Sequence, residues 1–267
     1  MVAYSIAMAK PNRIELPDGT VIPILHEDRS LIAIDKPPGW MLVPYNWDKT
    51  SRNLHLAISA SILARAYWAR SRNLRYLRHV HRLDADTSGI LLLAKSPGAL
   101  QTYSRLFASR QMEKKYLAVV DGVPIRKCWT CRLKIGPDPH QAGHRKIDAC
   151  RGKEAETHFR VLASKHCRAL IEARPVTGRT HQIRLHLMAA GHPVIGDPLY
   201  GSIGARTPHR PLIADPASPI LHPCPLALRA VSLAYRDPFQ GKPVRIEAPS
   251  DEFRQAFGFA YRSRASG

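Results

Sequence analysis

The chain has 267 residues, of which 45% are hydrophobic, so it can bury the core of one large domain or two small ones. It carries 40 Lys and Arg residues against 21 Asp and Glu residues, which gives a formal net charge of +19. An excess of this size indicates a polyanionic partner, and nucleic acid is the first candidate. No basic amphipathic helix with a bulky apolar face is evident, which argues against an anionic membrane surface.

Cysteine usage and the first residues favour a cytoplasmic protein. The five Cys residues are an odd number for a chain of this length, so a full disulfide framework is not expected. Residues 1–11 contain no apolar run of signal-peptide length, and no segment is long enough to span a bilayer. We therefore expect a reducing cytoplasm and no membrane partner. We also expect a monomer.

The first elements are predicted from apolar runs and their breakers. Residues 1–22 are rich in turn-forming Pro, Asp and Gly, and we expect a loosely structured leader there. Residues 24–28 and 31–35 are typical of strands, and the sequence Lys-Pro-Pro-Gly at 36–39 ends the second one. Apolar residues at helical spacing predict one amphipathic helix over residues 54–68.

A polar cluster followed by a buried strand is the most informative stretch. Residues 81–89 have the sequence HRLDADTSG, and the apolar run over residues 90–94 is typical of a strand covered on both faces. Gly89 indicates a sharp bend or a close backbone approach, and Thr87 can hold the turn through its hydroxyl. An Asp beside an Arg is most often a surface pair. This setting instead predicts that Asp84 is presented from a rigid turn at a strand end.

Six arginines precede Asp84 within eighteen residues, with aromatic residues between them. They are Arg65, Arg70, Arg72, Arg75, Arg78 and Arg82. Most charge runs form solvated faces. This run contains no acid before Asp84, so an internal salt-bridge face is not expected, and contact with RNA phosphates is favoured.

The middle of the chain predicts a helix, several strands and one weak metal signal. Ser96 and Pro97 are a good helix start, and the sequence Lys-Lys-Tyr at 114–116 opens a strand that Gly122 closes. Cys128 and Cys131, with His140, His144 and Cys150 further on, could form a zinc site, but there is no second tight pair. A turn into a strand over residues 152–162 and a second strand over residues 169–175 are predicted to pair in antiparallel fashion.

The second informative stretch lies near residue 180. Thr180 can cap a helix that runs to Ala190, where Gly191 can end it. Arg184 falls on a different face from the apolar stripe that includes Ile183. A helix start prefers anions, so this Arg is not there for the helix dipole and needs a carboxylate or phosphate elsewhere. Further strands are predicted over residues 226–233 and 244–246, before a tail over residues 251–267.

Three motifs in this order, over residues 81–95, 114–121 and 176–201, resemble those of the RluA-type pseudouridine synthase family. The resemblance extends over residues 24–250. It implies an α/β (α+β) catalytic domain over residues 23–250, with a mixed, mostly antiparallel central sheet flanked by helices and an active-site cleft across it. Many members carry a small N-terminal RNA-binding domain, which we expect to be absent because only about 23 residues precede the first strand.

The resemblance also implies roles for individual residues. Asp84 would be the catalytic nucleophile, Arg184 its ion-pair partner, and Tyr116 a face on which the target base stacks. Arg82 would fill the space that the flipped base vacates. No cofactor or metal is implied. We predict further RNA contacts from His81, Arg82, Thr87, Lys115, Arg179, His181, Arg75 and Arg78.

Three other functions remain open at this point. A two-carboxylate glycosidase could use Asp84 with Asp86, but would have no need of the basic charge. A non-catalytic RNA-binding protein would keep the charge without needing Asp84, Arg184 and Tyr116, and a zinc-dependent base-modifying enzyme would need the Cys and His residues. We expect uridine isomerisation in structured RNA, with ribosomal RNA as the first candidate substrate and transfer RNA as the second.

Overall fold

One mixed sheet organises the protein. The computed structural model describes residues 9–42, 52–201, 212–215 and 218–260. The strands are β1 Arg13–Glu15, β2 Val21–Glu27, β3 Leu31–Lys36, β4 Arg78–His79, β5 Ser88–Ala94, β6 Glu113–Asp121, β7 Cys128–Cys131, β8 Ile135–Pro137, β9 Arg145–Ile147, β10 Thr157–Lys165, β11 Arg168–Pro175, β12 Leu212–Asp215, β13 Ser218–Pro223, β14 Leu228–Arg236 and β15 Pro243–Glu247. The helices are α1 Leu54–Leu63, α2 Tyr67–Arg70, α3 Pro97–Ala108, α4 Gln182–Ala189 and α5 Asp251–Ala256.

The main sheet has the strand order β1-β2-β3-β5-β14-β6-β11-β10-β7, while β4 pairs with β5 and β15 with β14. Its pairings are antiparallel except for the one between β14 and β5. Two small hairpins, β8–β9 and β12–β13, stand apart from it. The mixed, mostly antiparallel sheet with helices is confirmed.

Strand β14 joins the two halves of the sheet, although it comes late in the chain. One core packs around β1–β3, β5 and α1–α3, and a second packs around β6, β10, β11, α4 and α5. Gly89 lies beside β14 with φ +105°, and a Cβ there would overlap the backbone of Ala230. The predicted close backbone approach at Gly89 is therefore confirmed, and it brings the end of the Asp84 turn against the central strand.

Several predicted elements are confirmed, including the buried strand β5 and the antiparallel pair β10–β11. Helix α3 begins as expected, because the Ser96 side chain accepts a hydrogen bond from the Ala99 backbone N–H and Pro97 follows it.

The expectation of a loosely structured leader is wrong for its described part. Residues 13–15 form β1, and the buried side chains of Ile14 and Ile22 pack into the first core. Trp68 donates its indole N–H to the Glu15 carbonyl at 3.0 Å, which ties this hairpin to α2. The Pro-Asp-Gly sequence at 17–19 is the hairpin turn, a signal that we interpreted as loose structure.

The single helix predicted over residues 54–68 is two helices, α1 and α2. Asn53 caps α1 by accepting from the Leu56 N–H, and the chain leaves the helix at Arg65, whose φ is +54°. No Gly or Pro marks this break, so the local sequence does not predict it.

The start of α4 also differs from its prediction. The N-cap residue is His181 in the left-handed conformation, with φ 59°, and not Thr180. The Gln182 side chain secures this start, because its oxygen accepts from the Thr177 hydroxyl at 2.7 Å and from the Arg179 N–H at 2.9 Å. The helix ends at Ala189, one residue before the predicted end, and Gly191 follows with φ +80°.

The boundary at residue 250 is also corrected for the residues that the structure describes. Helix α5 follows it directly, and the buried side chains of Phe257 and Phe259 pack into the second core. The first ten residues of the expected tail therefore belong to the domain.

Candidate active site

Asp84 lies in the turn between β4 and β5, and a buried lysine holds that turn. Lys36, fully buried at the end of β3, donates to the carbonyls of Ala85 at 2.6 Å and Thr87 at 3.0 Å. Burial lowers the pKa of Lys36 to about 8, although the negative charges of Asp86 and Asp84 oppose that shift. The ammonium group thus fixes the backbone on both sides of Asp86 and keeps Asp84 in place.

Two carboxylates share one guanidinium at the floor of the site. Arg184, on the first turn of α4, donates from Nη1 to Asp84 Oδ2 at 3.1 Å. Its Nε and Nη2 donate to the two oxygens of Asp197 at 2.8 and 2.7 Å. Burial disfavours the charge on Arg184, but the two carboxylates outweigh it and raise the pKa of Arg184. Arg184 in turn holds the pKa of the buried Asp197 below its usual value.

His181 faces the other oxygen of Asp84. Its Nε2 lies 3.9 Å from Asp84 Oδ1, and its Nδ1 lies 2.8 Å from the Tyr200 hydroxyl. That hydroxyl also contacts the backbone of Arg145, accepting from its N–H at 3.0 Å and lying 3.1 Å from its carbonyl oxygen. Burial lowers the pKa of His181, which favours the neutral imidazole despite the nearby Asp84.

Strand β6 contributes Tyr116 and Lys114 to the same space, because side chains two residues apart in a strand share a face. Burial, with a further contribution from the charge of Asp84, raises the pKa of Tyr116, so it is a neutral phenol near pH 7. Burial also lowers the pKa of Lys114 to about 8. Lys115 points to the opposite face and does not line the cavity.

His81 has a structural role beside the site, because it contacts the backbone of β5 and the side chain of Phe107. Its Nε2 accepts a hydrogen bond from the Leu92 N–H at 3.1 Å, and its ring stacks on Phe107 with centroids 4.5 Å apart. Burial, assisted by the positive charge of Lys114, lowers the pKa of His81 to about 3. The ring is therefore neutral, with its proton on Nδ1.

These groups line a cavity of about 410 Å³, within the size range of small-molecule sites. Among the described residues its only acid is Asp84, and its basic residues are Arg82, Arg110, Lys114, Arg179 and Arg184. Of the residues predicted for the site, the cavity brings together Asp84, Arg184, Tyr116, His81, Arg82, Thr87, Arg179 and His181. It does not include Lys115, Arg75 or Arg78.

One arginine of the run over residues 65–82 is buried in an ion pair, and others lie on the surface. Arg72 is buried and donates to Glu27 at 2.8 Å, so the expectation that this run takes no part in an internal salt bridge is wrong at Arg72. Its partner lies far back in the sequence, where a local charge count does not find it. Arg75 and Arg78 are exposed away from the cavity, and within the run only Arg82 lines it.

The turn chemistry predicted for Thr87 is also wrong. Its buried hydroxyl has no hydrogen-bond partner among the described residues, and Lys36 supplies the bonds that hold the turn. Asp86 does not line the cavity, so it does not provide the second carboxylate of a glycosidase. The second carboxylate nearby is Asp197, whose side chain is fully buried behind Arg184.

The cysteine pair lies away from this cavity. Cys128 and Cys131 are the two ends of β7, where residues three apart point to opposite faces of the sheet. In the part of the chain that the structure describes, no group of three or more His, Cys, Asp or Glu residues could hold a metal ion.

Sequence reasoning missed five residues of the site: Lys36, Arg110, Lys114, Asp197 and Tyr200. A signal for Lys114 was present, since strand alternation places it on the face of Tyr116. Asp197 lies within the third motif, residues 176–201, but an Asp between Gly and Pro is also an ordinary turn former.

Comparison with known proteins identifies the family to which the chain belongs. The profile of a family described as RNA pseudouridylate synthase matches residues 30–189, which is more than half of the chain. The chain belongs to this family. The motifs at Asp84 and Tyr116, and most of the one that contains Arg184, fall within the matched residues. As a member of the RNA pseudouridylate synthase family, it is an enzyme, and the resemblance noted in the sequence is confirmed.

Relatives from three bacteria agree with this assignment. An uncharacterized RNA pseudouridine synthase of Chlorobaculum parvum is 35% identical, with 88% of this chain and 73% of the relative covered. Ribosomal large subunit pseudouridine synthase C of Yersinia pestis is 34% identical, with 91% and 70% covered. Ribosomal large subunit pseudouridine synthase D of Zymomonas mobilis is 32% identical, with 87% and 70% covered.

Solved structures of pseudouridylate synthases share the fold. Human RNA pseudouridylate synthase domain containing 4 matches with a TM-score of 0.67 and 24% identity, over 88% of this chain and 91% of that one. Human RNA pseudouridylate synthase domain containing 1 matches with a TM-score of 0.66 and 24% identity, over 88% and 86%. None of the helices within the described ranges has the length and apolar character needed to cross a membrane.

Proposed function

We propose that this pseudouridine synthase isomerises specific uridines in structured RNA, with Asp84 as the nucleophile. The observation that carries the proposal is the approach of Arg184 to Asp84, at 3.1 Å, in a cavity where Asp84 is the only acid among the described lining residues. The reaction exchanges the C1′–N1 bond of uridine for a C1′–C5 bond and moves one proton from C5 to N1. It is an isomerisation, so it requires no oxidant or reductant.

Asp84 acts through the oxygen that Arg184 leaves free. Arg184 occupies Oδ2, whereas Oδ1 accepts no hydrogen bond from the described residues and faces His181 Nε2 at 3.9 Å. A covalent intermediate divides the difficult exchange of bonds into two easier steps. Arg184 holds the orientation of the carboxylate through its hydrogen bond to Oδ2.

The target base enters the cavity after it has left the RNA stack. Tyr116 provides the aromatic face against which it lies, and as a neutral phenol it can donate a proton near pH 7. Arg82 is exposed at the cavity, next to Leu83 and Asp84, where its guanidinium can occupy the position that the base vacated. Arg110, Lys114 and Arg179 hold the neighbouring phosphates.

Ribosomal RNA is the first substrate candidate, because two of the relatives carry names of ribosomal large subunit synthases. Transfer RNA is the second. The cytoplasmic location and the monomeric state remain predictions from the sequence. Mapping pseudouridines in cells with and without the gene identifies the RNA and the position.

The test of the chemistry is Asp84→Asn. We expect the purified variant to lose at least about 10,000-fold in turnover, measured as tritium release from RNA containing 5-tritiated uridine, because a neutral amide is a poor nucleophile. RNA affinity should stay within a few-fold of the wild type. Asp86→Asn, a change in the same turn but outside the cavity, is the matched control and should retain turnover. Undiminished tritium release from the Asp84 variant would remove Asp84 from its role.

A further inference from the structure

A short turn behind the site contacts both groups that face Asp84. This segment, residues 197–200, is called the 197–200 turn below. Asp197 Oδ1 accepts from the backbone N–H groups of Leu199 at 2.9 Å and Tyr200 at 3.0 Å, which closes the turn. Gly196 precedes it with φ +72°, and a Cβ there would overlap the backbone of Pro225, so the turn is packed against the chain leading into β14.

The turn fixes the direction of Arg184. Asp197 engages Nε and Nη2 of the guanidinium at 2.8 and 2.7 Å, a bidentate contact that sets the plane of the group. The Tyr200 ring lies under the guanidinium carbon, 5.1 Å from its centroid. These contacts leave Nη1 to reach Asp84. Asp197 also offsets part of the positive charge of Arg184.

The same turn fixes His181. The Tyr200 hydroxyl lies 2.8 Å from Nδ1, while Nε2 faces Asp84 Oδ1. A neutral imidazole beside a carboxylate favours the tautomer with its proton on Nε2; in that tautomer Nδ1 accepts the Tyr200 proton, for which the Arg145 carbonyl oxygen at 3.1 Å is the second acceptor. The backbone of His181 is in the left-handed region, with φ 59°, where a residue other than Gly is strained and has to be held by its surroundings.

We propose that Asp197 and Tyr200 are positioning residues for catalysis. Asp197 acts through Arg184 on one oxygen of Asp84, and Tyr200 acts through His181 on the other. Together they aim Oδ1 of Asp84 into the cavity. The inference rests on the proposed function, because it assumes that Asp84 is the nucleophile.

The first test is Asp197→Asn, which keeps the size of the side chain but removes its charge. We expect kcat to fall about 100-fold, because a small misplacement of reacting groups has an effect of this order. KM for the RNA should change little, since Asp197 does not line the cavity. The matched control is Asp237→Asn. Asp237 is also buried and accepts from two backbone N–H groups, those of Phe239 and Gln240, but it lies outside the site.

A mutant cycle distinguishes positioning from a general effect on folding. In an Arg184→Ala background, Asp197→Asn should cause no further loss of single-turnover rate, because its route to Asp84 has already gone. Independent, multiplicative losses would overturn the role of Asp197. Circular dichroism and thermal unfolding of each variant check that the fold is kept.

Tyr200→Phe is the second, independent test, since it removes one oxygen and keeps the ring under Arg184. We expect kcat to fall about 10-fold, the effect of one lost hydrogen bond, and to fall no further when His181→Ala is already present. If Asp197→Asn does not fold, this variant decides the question. Wild-type kcat in both Asp197→Asn and Tyr200→Phe would overturn the inference even if Asp84→Asn is inactive. A wild-type protein that forms no pseudouridine would instead overturn the proposed function.

Discussion

Lys114 is the cavity cation whose charge is most sensitive to pH near neutrality. Burial brings its pKa to about 8, whereas the arginines around it remain charged. A lysine with a lowered pKa is positive below that value and neutral above it, so the phosphate contact proposed for Lys114 weakens as pH rises through about 8.

We therefore predict that KM for RNA rises as the pH increases through about 8, by about fivefold for one lost charge-assisted contact. The Lys114→Arg variant should lack this rise, because an arginine stays protonated. Steady-state kinetics over this pH range measure both proteins. An identical rise in the variant would assign the effect to another group, of which Lys36, with a pKa also near 8, is the first to consider.

At the residue scale, Asp84 and Arg184 could be singled out from the sequence, because both lie in motifs with several specific neighbours. It missed Lys36, since a lysine before Pro-Pro-Gly is most often a strand end, and only the tertiary fold shows its amine enclosed by three carbonyls. It chose Lys115 over Lys114, although alternation along a strand with Tyr116 in the site already favoured Lys114.

At the scale of elements, the turn that carries Asp84 depends on β3. The Lys36 ammonium donates to Pro37, Ala85 and Thr87, and thus ties the end of β3 to the turn before β5. We predict that Lys36→Met destabilises the fold by about 1–3 kcal/mol, because buried carbonyls lose their donor. Turnover should fall about 100-fold as Asp84 shifts.

Urea unfolding and tritium release measure the two effects of Lys36→Met. The control is Lys134→Met, a change at a partly exposed lysine that pairs with an exposed Glu154 and lies outside the cavity. An exposed pair of this kind contributes little, so stability and turnover should both be kept. Full turnover in Lys36→Met would show that the Asp84 turn keeps its conformation without the hydrogen bonds of Lys36.

Element prediction succeeded where side-chain periodicity and breakers agreed, as at β5 and α3. It failed where the fold supplied an unexpected partner. Arg65 ends α1 without a Gly or Pro, and Gln182 holds the start of α4 through a network that no local pattern encodes. The hairpin of β1 and β2 was overlooked although its Pro-Asp-Gly turn was in the sequence, because Pro11 and Pro17 suggested loose structure.

At the scale of the whole molecule, only part of the net charge of +19 lies at the cavity, which is lined by Arg and Lys residues. RNA binding should therefore weaken steeply with salt. We predict that Arg110→Gln reduces the slope of log affinity against log salt by about one, because it removes one phosphate contact. Filter binding over a range of salt concentrations measures this slope.

The matched control for Arg110→Gln is Arg245→Gln, which removes the same charge from an exposed side chain on β15, outside the cavity. Its slope should stay close to that of the wild type. Equal reductions in the two variants would mean that the protein senses RNA through its total charge, and that the cavity arginines make no specific contacts.

The position of β14 has a consequence for synthesis on the ribosome. Asp84 precedes β5, Arg184 lies on α4, which packs against the other half of the sheet, and β14, at Leu228–Arg236, is the strand that joins those halves. A nascent chain that ends before Leu228 already contains every motif, yet lacks the element that brings them together. The active centre can therefore assemble only after β14 has been synthesised, so a product truncated before Leu228 would carry all three motifs without an assembled site.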